Sequence, residues 1–452
     1  MFSKILVANR GEIAVRIIRA CKEMGITTVA IYSTADKDAM HVSMADESYC
    51  IGGPKVTESY LNMGAILTAA VATKSQAIHP GYGLLSENAT FVSLCEQCNI
   101  EFIGPSSEII SKMGDKNAAR KSMIAAGVPV IPGSEVITDR EKAKKEAIRI
   151  GFPLLIKARS GGGGKGIRLV TDKDQFDHAF STAAKEAESA FGDGALYMEK
   201  FLSPVKHIEM QILADKHGNV ICLGERECSV QRKNQKLIEE SPSPAISEET
   251  RAKMIEVATK AVKATNYVNA GTIEFLYDID GNFYFMEMNT RLQVEHPVTE
   301  MVTGIDIVQW QIRVAFGLPL PFKQEDIRIE GHSIECRINA EDPNSNFHPQ
   351  CGTIHLLHVP GGPGVRFDSA IFQGYVIPPF YDSMIGKLIV YSKTRGEAIR
   401  KMQAALCELV IEGITHNREL QRMILKDKRF LSGKYDTGLM IEIVEKLRIK
   451  EE

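Results

Sequence analysis

No run in this 452-residue chain approaches the roughly 18 consecutive apolar residues that cross a bilayer, so a membrane-spanning reading is excluded. Neither charge is in excess: 54 Lys and Arg stand against 57 Asp and Glu, a net charge of -3, whereas a general nucleic-acid or membrane-surface binder needs a basic surplus. Met1-Phe2-Ser3-Lys4 leads straight into a strand-like run, so no cleavable signal peptide is expected, and the expected location is the cytoplasm. A second close cysteine pair is also missing. The nine cysteines are scattered and only Cys95 and Cys98 lie close, which leaves a zinc site without its other ligands. A redox motif, or simply two cysteines on one face of a helix, remain as readings of that pair. There is no low-complexity linker and no internal repeat.

What is present fits a multidomain globular protein. Hydrophobic residues make up 44% and charged residues 25%, ordinary for such a chain, and the length exceeds what one core supports. The first 110 or so residues alternate strand and helix. Lys4–Ala8 reads as a buried strand, Glu12–Met24 as a helix with Ile13, Ile17, Cys21 and Met24 at helical spacing, and Thr27–Tyr32 as a second strand. A helix over Tyr60–Thr73 and short strands at Ala77–His79 and Phe102–Gly104 complete a doubly wound pattern. The first strand–helix turn, Asn9-Arg10-Gly11-Glu12, has one glycine and fails the dinucleotide fingerprint. Residues about 130–202 read as a separate small unit, with strands Pro153–Lys157 and Ile167–Val170 around a glycine-rich tip and a helix from Lys173 to Ser189.

Three segments carry chemistry. In Ser160-Gly161-Gly162-Gly163-Gly164-Lys165-Gly166, consecutive glycines let backbone N–H groups converge on phosphate oxygens. It is not a Walker A loop, since Gly166 follows Lys165, and no H-R-D or D-F-G supports a kinase. Four glycines in a row make a tip able to close over a nucleotide, with Lys157 on the entering strand; a mobile surface hairpin fits the pattern too. The second segment runs from Gly271 to Asn289, with Asp280-Gly281 as a two-residue hairpin turn. On that count Glu274 faces Glu287 with Cβ atoms about 5 Å apart, and two carboxylates so close call for a cation. Hard oxygen ligands suit Mg²⁺, and Asn289 adds a neutral oxygen. The alternative is two exposed glutamates on a solvated face. In the third, an extended Arg291-Leu292-Gln293-Val294-Glu295 puts Arg291, Gln293 and Glu295 on one face, suited to a planar oxyanion and a proton acceptor. A surface ion pair between Arg291 and Glu295 is the plainer reading. Gln231–Lys236 is a cationic segment that either is solvated or supplies a lysine to an anion site, and His207 and His296 default to structural roles.

Six segments, in order, resemble biotin carboxylase: Ala8–Ala14, His79–Asn88, Met113–Lys116, the glycine loop, Glu287–Pro297 and Glu335–Glu341. The resemblance runs from Phe2 to about Gly413. It implies an α/β and α+β multidomain fold: an N-terminal doubly wound domain (1–114), an ATP-grasp region (115–317) with a mobile lid over about 130–202, and a C-terminal mixed domain (318–452). It further implies that Lys116 and Lys157 contact ATP phosphates under Gly163 and Gly164. Glu199, Lys200, Phe201 and Leu202 would form the strand that meets adenine, and His207 and Asn234 would touch the nucleotide. The family often has His at the position of Asn234, Phe at that of Leu84 and a small residue at that of Arg159. Glu274, Glu287 and Asn289 would hold Mg²⁺ or Mn²⁺, at two sites. Lys236, Arg291, Gln293 and the Val294 backbone would bind bicarbonate, Glu295 would be the base, and Tyr82 and Arg337 would meet biotin.

The reaction so implied consumes ATP and bicarbonate, passes through carboxyphosphate, and carboxylates a biotin carried by another protein rather than by this chain. Its expected partners are a biotin carboxyl carrier protein, carboxyltransferase subunits and a second copy of the chain, with no nucleic acid and no membrane. No Met-Lys-Met acceptor motif occurs, so a separate subunit of acetyl-CoA carboxylase is expected, with a pyruvate or other acyl-CoA carboxylase as the alternative. Two further classes compete: another ATP-grasp ligase, and a nucleotide-sensing module without turnover.

Overall fold

Strand β1 (Lys4–Val7) is buried at every position after the first, as a parallel strand covered on both faces requires. Around it, β2 (Thr27–Ser33), β3 (Glu47–Gly52), β4 (Ala77–His79) and β5 (Glu101–Phe102) pair in parallel in the order β3-β2-β1-β4-β5. This is the doubly wound sheet expected from the alternating pattern. Its first helix spans Gly11–Glu23 and buries Ile13, Ile17 and Cys21. Cys95 is buried within the helix Ala89–Gln97, and Cys98 caps that helix and is exposed. All nine cysteines are free.

The computed structural model describes residues 1–159 and 167–449, so Gly163 and Gly164 lie outside the described residues. Contacts divide the chain into two units: Met1–Val128, Lys206–Phe275 and Glu287–Glu452 form one, and Pro129–Val205 with Leu276–Met286 the other. In the second unit, β6 (Leu154–Ala158), β7 (Ile167–Val170) and β8 (Leu196–Lys200) make an antiparallel sheet in the order β7-β6-β8. Helices Arg140–Ile150 and Lys173–Phe191 supply Ala143, Phe176 and Phe180 to a core with Leu154, Ile156 and Met198.

The first unit also holds an eight-stranded sheet. Its order is β13-β12-β9-β10-β11-β14, followed by strands Met384–Ser392 and Val365–Ser369. Here β9 is Val205–Ala214, β10 Val220–Arg232, β11 Gln235–Ser241, β12 Asn269–Asp278, β13 Phe283–Asn289 and β14 His332–Asn339. The tip of the β12–β13 hairpin is counted with the second unit. Helix Arg395–Glu408, opened by a Thr394/Glu397 capping box, packs Ala398, Ile399 and Met402 into a core with Ile334, Cys336 and Leu388. No helix among the described residues is long and apolar enough to cross a membrane.

Candidate active site

Successive side chains of a strand alternate between its faces, and that alternation assembles the polar site. On β9 it sets His207, Glu209 and Gln211 on one face, all buried. On β14 it sends Ile334, Cys336 and Ile338 into the apolar core and Glu335, Arg337 and Asn339 to the other side. The same count on β11 would put Lys236 in the core beside Ile238. A β-bulge prevents this: Val230 pairs with Ile238 but Gln231 pairs with Lys236, leaving Leu237 as the extra residue. Leu237 and Ile238 both enter the core, and Lys236 is re-aimed to the polar side.

There the Lys236 ammonium donates to three carboxylates, Glu209 at 2.6 Å, Glu295 at 2.7 Å and Glu274 at 3.1 Å. Burial opposes its charge, but the three carboxylates outweigh burial and hold it well above the usual lysine range. Arg226, fully buried, grips Glu209 from the other side and donates to Gln211 at 2.7 Å and Thr299 at 2.9 Å. Glu295 is fully buried and precedes the helix His296–Thr303. Arg337 donates to it at 2.9 Å and to Glu239 at 2.6 Å. Burial would raise Glu295, yet Lys236, Arg337 and Arg226 together hold it well below the usual carboxylate range. Glu239 goes the other way: burial, reinforced by Glu295, lifts it to about 7 despite Arg337.

Glu274 collects a different set. Asn289 donates to it at 2.9 Å and Gln293 at 3.1 Å, while His207 Nε2 lies 2.9 Å away without the alignment of a hydrogen bond. Burial works against its charge, but Lys236 and His207 keep it well below the usual range. Glu287, although partly open to solvent, is raised by desolvation and by the Glu274 carboxylate, with Lys116, His207 and Lys236 pulling it back. Two neighbouring carboxylates, whose repulsion the nearby cations offset only in part at Glu287, are a donor set that fits a hard divalent cation. Asn289 Oδ1 accepts from Arg291 at 3.1 Å and has a second lone pair to offer such a cation.

The loop around residues 290–295 is not an extended strand, and Arg291, Gln293 and Glu295 do not line one face by alternation. Arg291 instead donates to Gln293 at 2.7 Å and to Glu87 at 2.7 Å, while Glu295 joins the group through Lys236. The hairpin turn also differs from the two-residue expectation. Asp278 donates its N–H to the Asn282 carbonyl at 2.9 Å and Gly281 donates to Asp278 at 3.3 Å, so the loop is Ile279-Asp280-Gly281, with Gly281 at φ +84°. A three-residue loop with glycine in the left-handed region is the next commonest hairpin, and its bulge shifts the count by one.

Tyr82 donates to Glu12, whose carboxylate lies 3.0 Å from the Lys387 ammonium. Lys387, fully buried on the strand Met384–Ser392, also donates to the Val294 carbonyl at 2.7 Å. Lys116 opens the helix Lys116–Ala125. Lys233 and Asn234 form a two-residue turn between the paired Arg232 and Gln235. In the second unit Lys157 donates to Glu199, Lys200 donates its side chain to Phe152 at 2.8 Å, and Phe201 donates its N–H to Pro153 at 3.1 Å, with Leu202 next along the chain.

Sequence reasoning passed over Glu209, Arg226, Glu239 and Lys387. A signal existed for the first: His207-Ile208-Glu209-Met210-Gln211 alternates polar and apolar within a strand. Arg226 lies between Glu225 and Glu227, Glu239 beside Glu240 and Lys387 alone in its strand, and only cross-strand pairing shows which of these charges turns to the site.

Three family descriptions match: Biotin carboxylase, N-terminal domain, over residues 1–110; Carbamoyl-phosphate synthase L chain, ATP binding domain, over 115–323; and Biotin carboxylase C-terminal domain, over 335–442. Biotin carboxylase 1 of Bacillus subtilis is 55% identical over 442 residues, covering 97% of this chain and 98% of that protein. The biotin carboxylase domain dimer of 2-oxoglutarate carboxylase from Hydrogenobacter thermophilus, solved with MgADP, ADP and bicarbonate, is 51% identical, with a TM-score of 0.92 and 99% of each chain covered. The biotin carboxylase subunit of a pyruvate carboxylase is 52% identical, with a TM-score of 0.89 and 99% of each chain covered. The fold and the site thus define an ATP-grasp ligase. The chain belongs to the biotin carboxylase family, and its activity is the ATP-dependent carboxylation of biotin.

Proposed function

We propose that this chain carries out the first half-reaction of acetyl-CoA carboxylase, turning ATP, bicarbonate and a biotinyl carrier protein into carboxybiotinyl carrier, ADP and phosphate. The observation that carries the reading is Glu295, a fully buried carboxylate fixed between Lys236 at 2.7 Å and Arg337 at 2.9 Å. A base kept ionised and aimed beside Arg291 and Gln293 suits bicarbonate, which must lose a proton to attack the γ-phosphate of ATP. Lys236, Arg291, Gln293 and the Val294 N–H hold the oxyanion. Lys116 and Lys157 neutralise phosphate oxygens, Gly163 and Gly164 cover them, and Glu199, Lys200, Phe201 and Leu202 meet adenine, with His207 and Asn234 completing the nucleotide site. Glu274, Glu287 and Asn289 would hold Mg²⁺ or Mn²⁺, whose charge offsets that of the transferring phosphoryl group. Tyr82 and Arg337 meet biotin, and Arg337 stabilises the ureido oxygen as N1' is deprotonated by the phosphate that carboxyphosphate releases.

A homodimer is proposed with the dimer of the Hydrogenobacter thermophilus domain in support. The cytoplasm is proposed on the sequence reading alone. Service in a pyruvate-type enzyme is the second reading, favoured by the 52% identity to the pyruvate carboxylase subunit. Phosphate release with bicarbonate, with and without biotin, tests the chemistry: stimulation by biotin is expected, and none would overturn it. Carboxylation of carrier proteins from acetyl-CoA and pyruvate carboxylases tests the context, and a preference for the pyruvate-type carrier would reverse the choice.

A further inference from the structure

Two buried side chains behind the loop have no assigned task. His296 is fully buried, and its Nδ1 lies 2.8 Å from the Gln293 carbonyl. A carbonyl oxygen only accepts, so Nδ1 carries the proton and His296 donates. Burial, together with the cations of Lys387, Arg16 and Arg366, keeps the ring neutral against the pull of Glu300, which fixes that tautomer. Lys387, also fully buried, donates to the next carbonyl, Val294, at 2.7 Å.

The consequence follows from peptide planarity. In a trans peptide the C=O and N–H point in opposite directions, and the cis bonds of this chain lie elsewhere, at Phe152-Pro153, Ser203-Pro204 and Ser241-Pro242. With the Gln293 carbonyl drawn to His296, the Val294 N–H is turned away from it. With the Val294 carbonyl drawn to Lys387, the Glu295 N–H is likewise turned away. Among the described residues neither N–H donates to a backbone carbonyl. The flanking side chains reach the polar cluster, Gln293 donating to Glu274 at 3.1 Å and Glu295 accepting from Lys236 at 2.7 Å.

We propose that His296 and Lys387 are positioning residues that lock two successive N–H groups, of Val294 and Glu295, as a rigid donor pair for the bicarbonate oxyanion and for the carboxyl end of carboxyphosphate. This rests on the bicarbonate reading above and extends it to residues that never touch the anion. Pre-set donors need no reorganisation when charge develops, which is where such a pair gains its effect. The Glu295 N–H and its carboxylate then act at one place, the first binding the anion and the second taking its proton.

The test compares His296→Leu, His296→Asn and His296→Gln in the full chain, with KM for bicarbonate and for ATP measured separately and folding followed by thermal denaturation. An asparagine amide occupies the place of Nδ1 and can donate to Gln293, whereas glutamine reaches the place of Nε2. His296→Leu is expected to raise the bicarbonate KM about tenfold, equivalent to ~1.4 kcal/mol, with ATP KM unchanged within about twofold. His296→Asn is expected to restore most of the loss and His296→Gln none of it. If leucine is not tolerated, the Asn and Gln variants decide alone, since equal bicarbonate KM values in those two overturn the proposal. So does a joint rise in both KM values without rescue by Asn, which marks a merely structural histidine. Arg291→Ala and Gln293→Ala run alongside. If they leave the bicarbonate KM untouched, the bicarbonate reading itself fails and the proposal falls with it; if they raise it while His296→Leu does not, the positioning role alone is wrong.

Discussion

Replacing Arg337 by alanine separates biotin carboxylation from bicarbonate-dependent ATP cleavage, and the expected size of each effect follows from the partners of its guanidinium. Arg337 donates to Glu239 at 2.6 Å and Glu295 at 2.9 Å, and both carboxylates are fully buried. Breaking a buried pair by removing one partner costs about 3–5 kcal/mol, because a charge is left uncompensated. Glu239 already sits at about 7, so it takes up a proton when the cation leaves, and the loss falls at the lower end, ~3 kcal/mol. Glu295 keeps Lys236 at 2.7 Å. Losing one charge-assisted hydrogen bond is worth about 1.5–3 kcal/mol, which lifts its proton affinity by roughly one to two pH units. From a starting point well below the usual carboxylate range, it stays ionised at neutral pH. Arg337→Ala is therefore expected to lower kcat/KM for biotin at least about a hundredfold, while bicarbonate-dependent ATP cleavage without biotin falls no more than about threefold. Phosphate release with and without biotin, with thermal denaturation in parallel, reads both. A folded variant that loses biotin-independent cleavage as completely as carboxylation refutes the division.

Glu287→Gln should reduce ATP turnover at saturating Mg²⁺ at least about tenfold, ~1.4 kcal/mol, and an unchanged rate removes Glu287 from the metal site. Glu240, despite burial, is held down to about 2 by His332 and Arg395, which donate at 2.6 Å and 2.7 Å. Its folded value lies below the ordinary 4.5, so its stabilisation, ~3 kcal/mol, is present above that pH and lost as pH falls towards 2. Urea titrations at about pH 6 and about pH 3 should show a smaller difference for Glu240→Gln than for the parent chain. Cys228 is buried 4.0 Å from Glu295, and burial, with the Glu209 and Glu295 carboxylates, pushes its thiol well above the usual range. Mild alkylation should modify exposed Cys50, Cys98, Cys351 and Cys407 and spare Cys228, as peptide mapping would report.

The alternating strands and helices of the first hundred residues were legible because a parallel sheet writes itself as short apolar runs with helical spacing between them. The residues brought together at Lys236 and Glu295 were legible as types but not as geometry. Period-two counting fails at Leu237, where one bulged residue reverses the face that Lys236 occupies. It fails again at Ile279-Asp280-Gly281, where a third loop residue alters the hairpin count, and at Arg291–Glu295, where the chain turns. Partners such as Arg337 for Glu239 join strands, β14 and β11, that lie far apart in sequence and neighbour each other only in the sheet, and no local pattern announces such pairing.

The turn between β10 and β11 carries a restriction of its own. Lys233 and Asn234 have φ values of +48° and +65°, and a two-residue loop with both residues left-handed is the turn that matches strand twist. Among side chains, Asn, Asp and His enter that region most readily, and Gly enters it freely. Asp would set a negative charge towards phosphates, and Gly would offer no side chain at all. For the nucleotide-facing donor proposed at position 234, backbone geometry thus favours Asn and His. Asn234 is one of that favoured pair, and Asn234→His is expected to leave the hairpin, and with it the aim of Lys236, undisturbed.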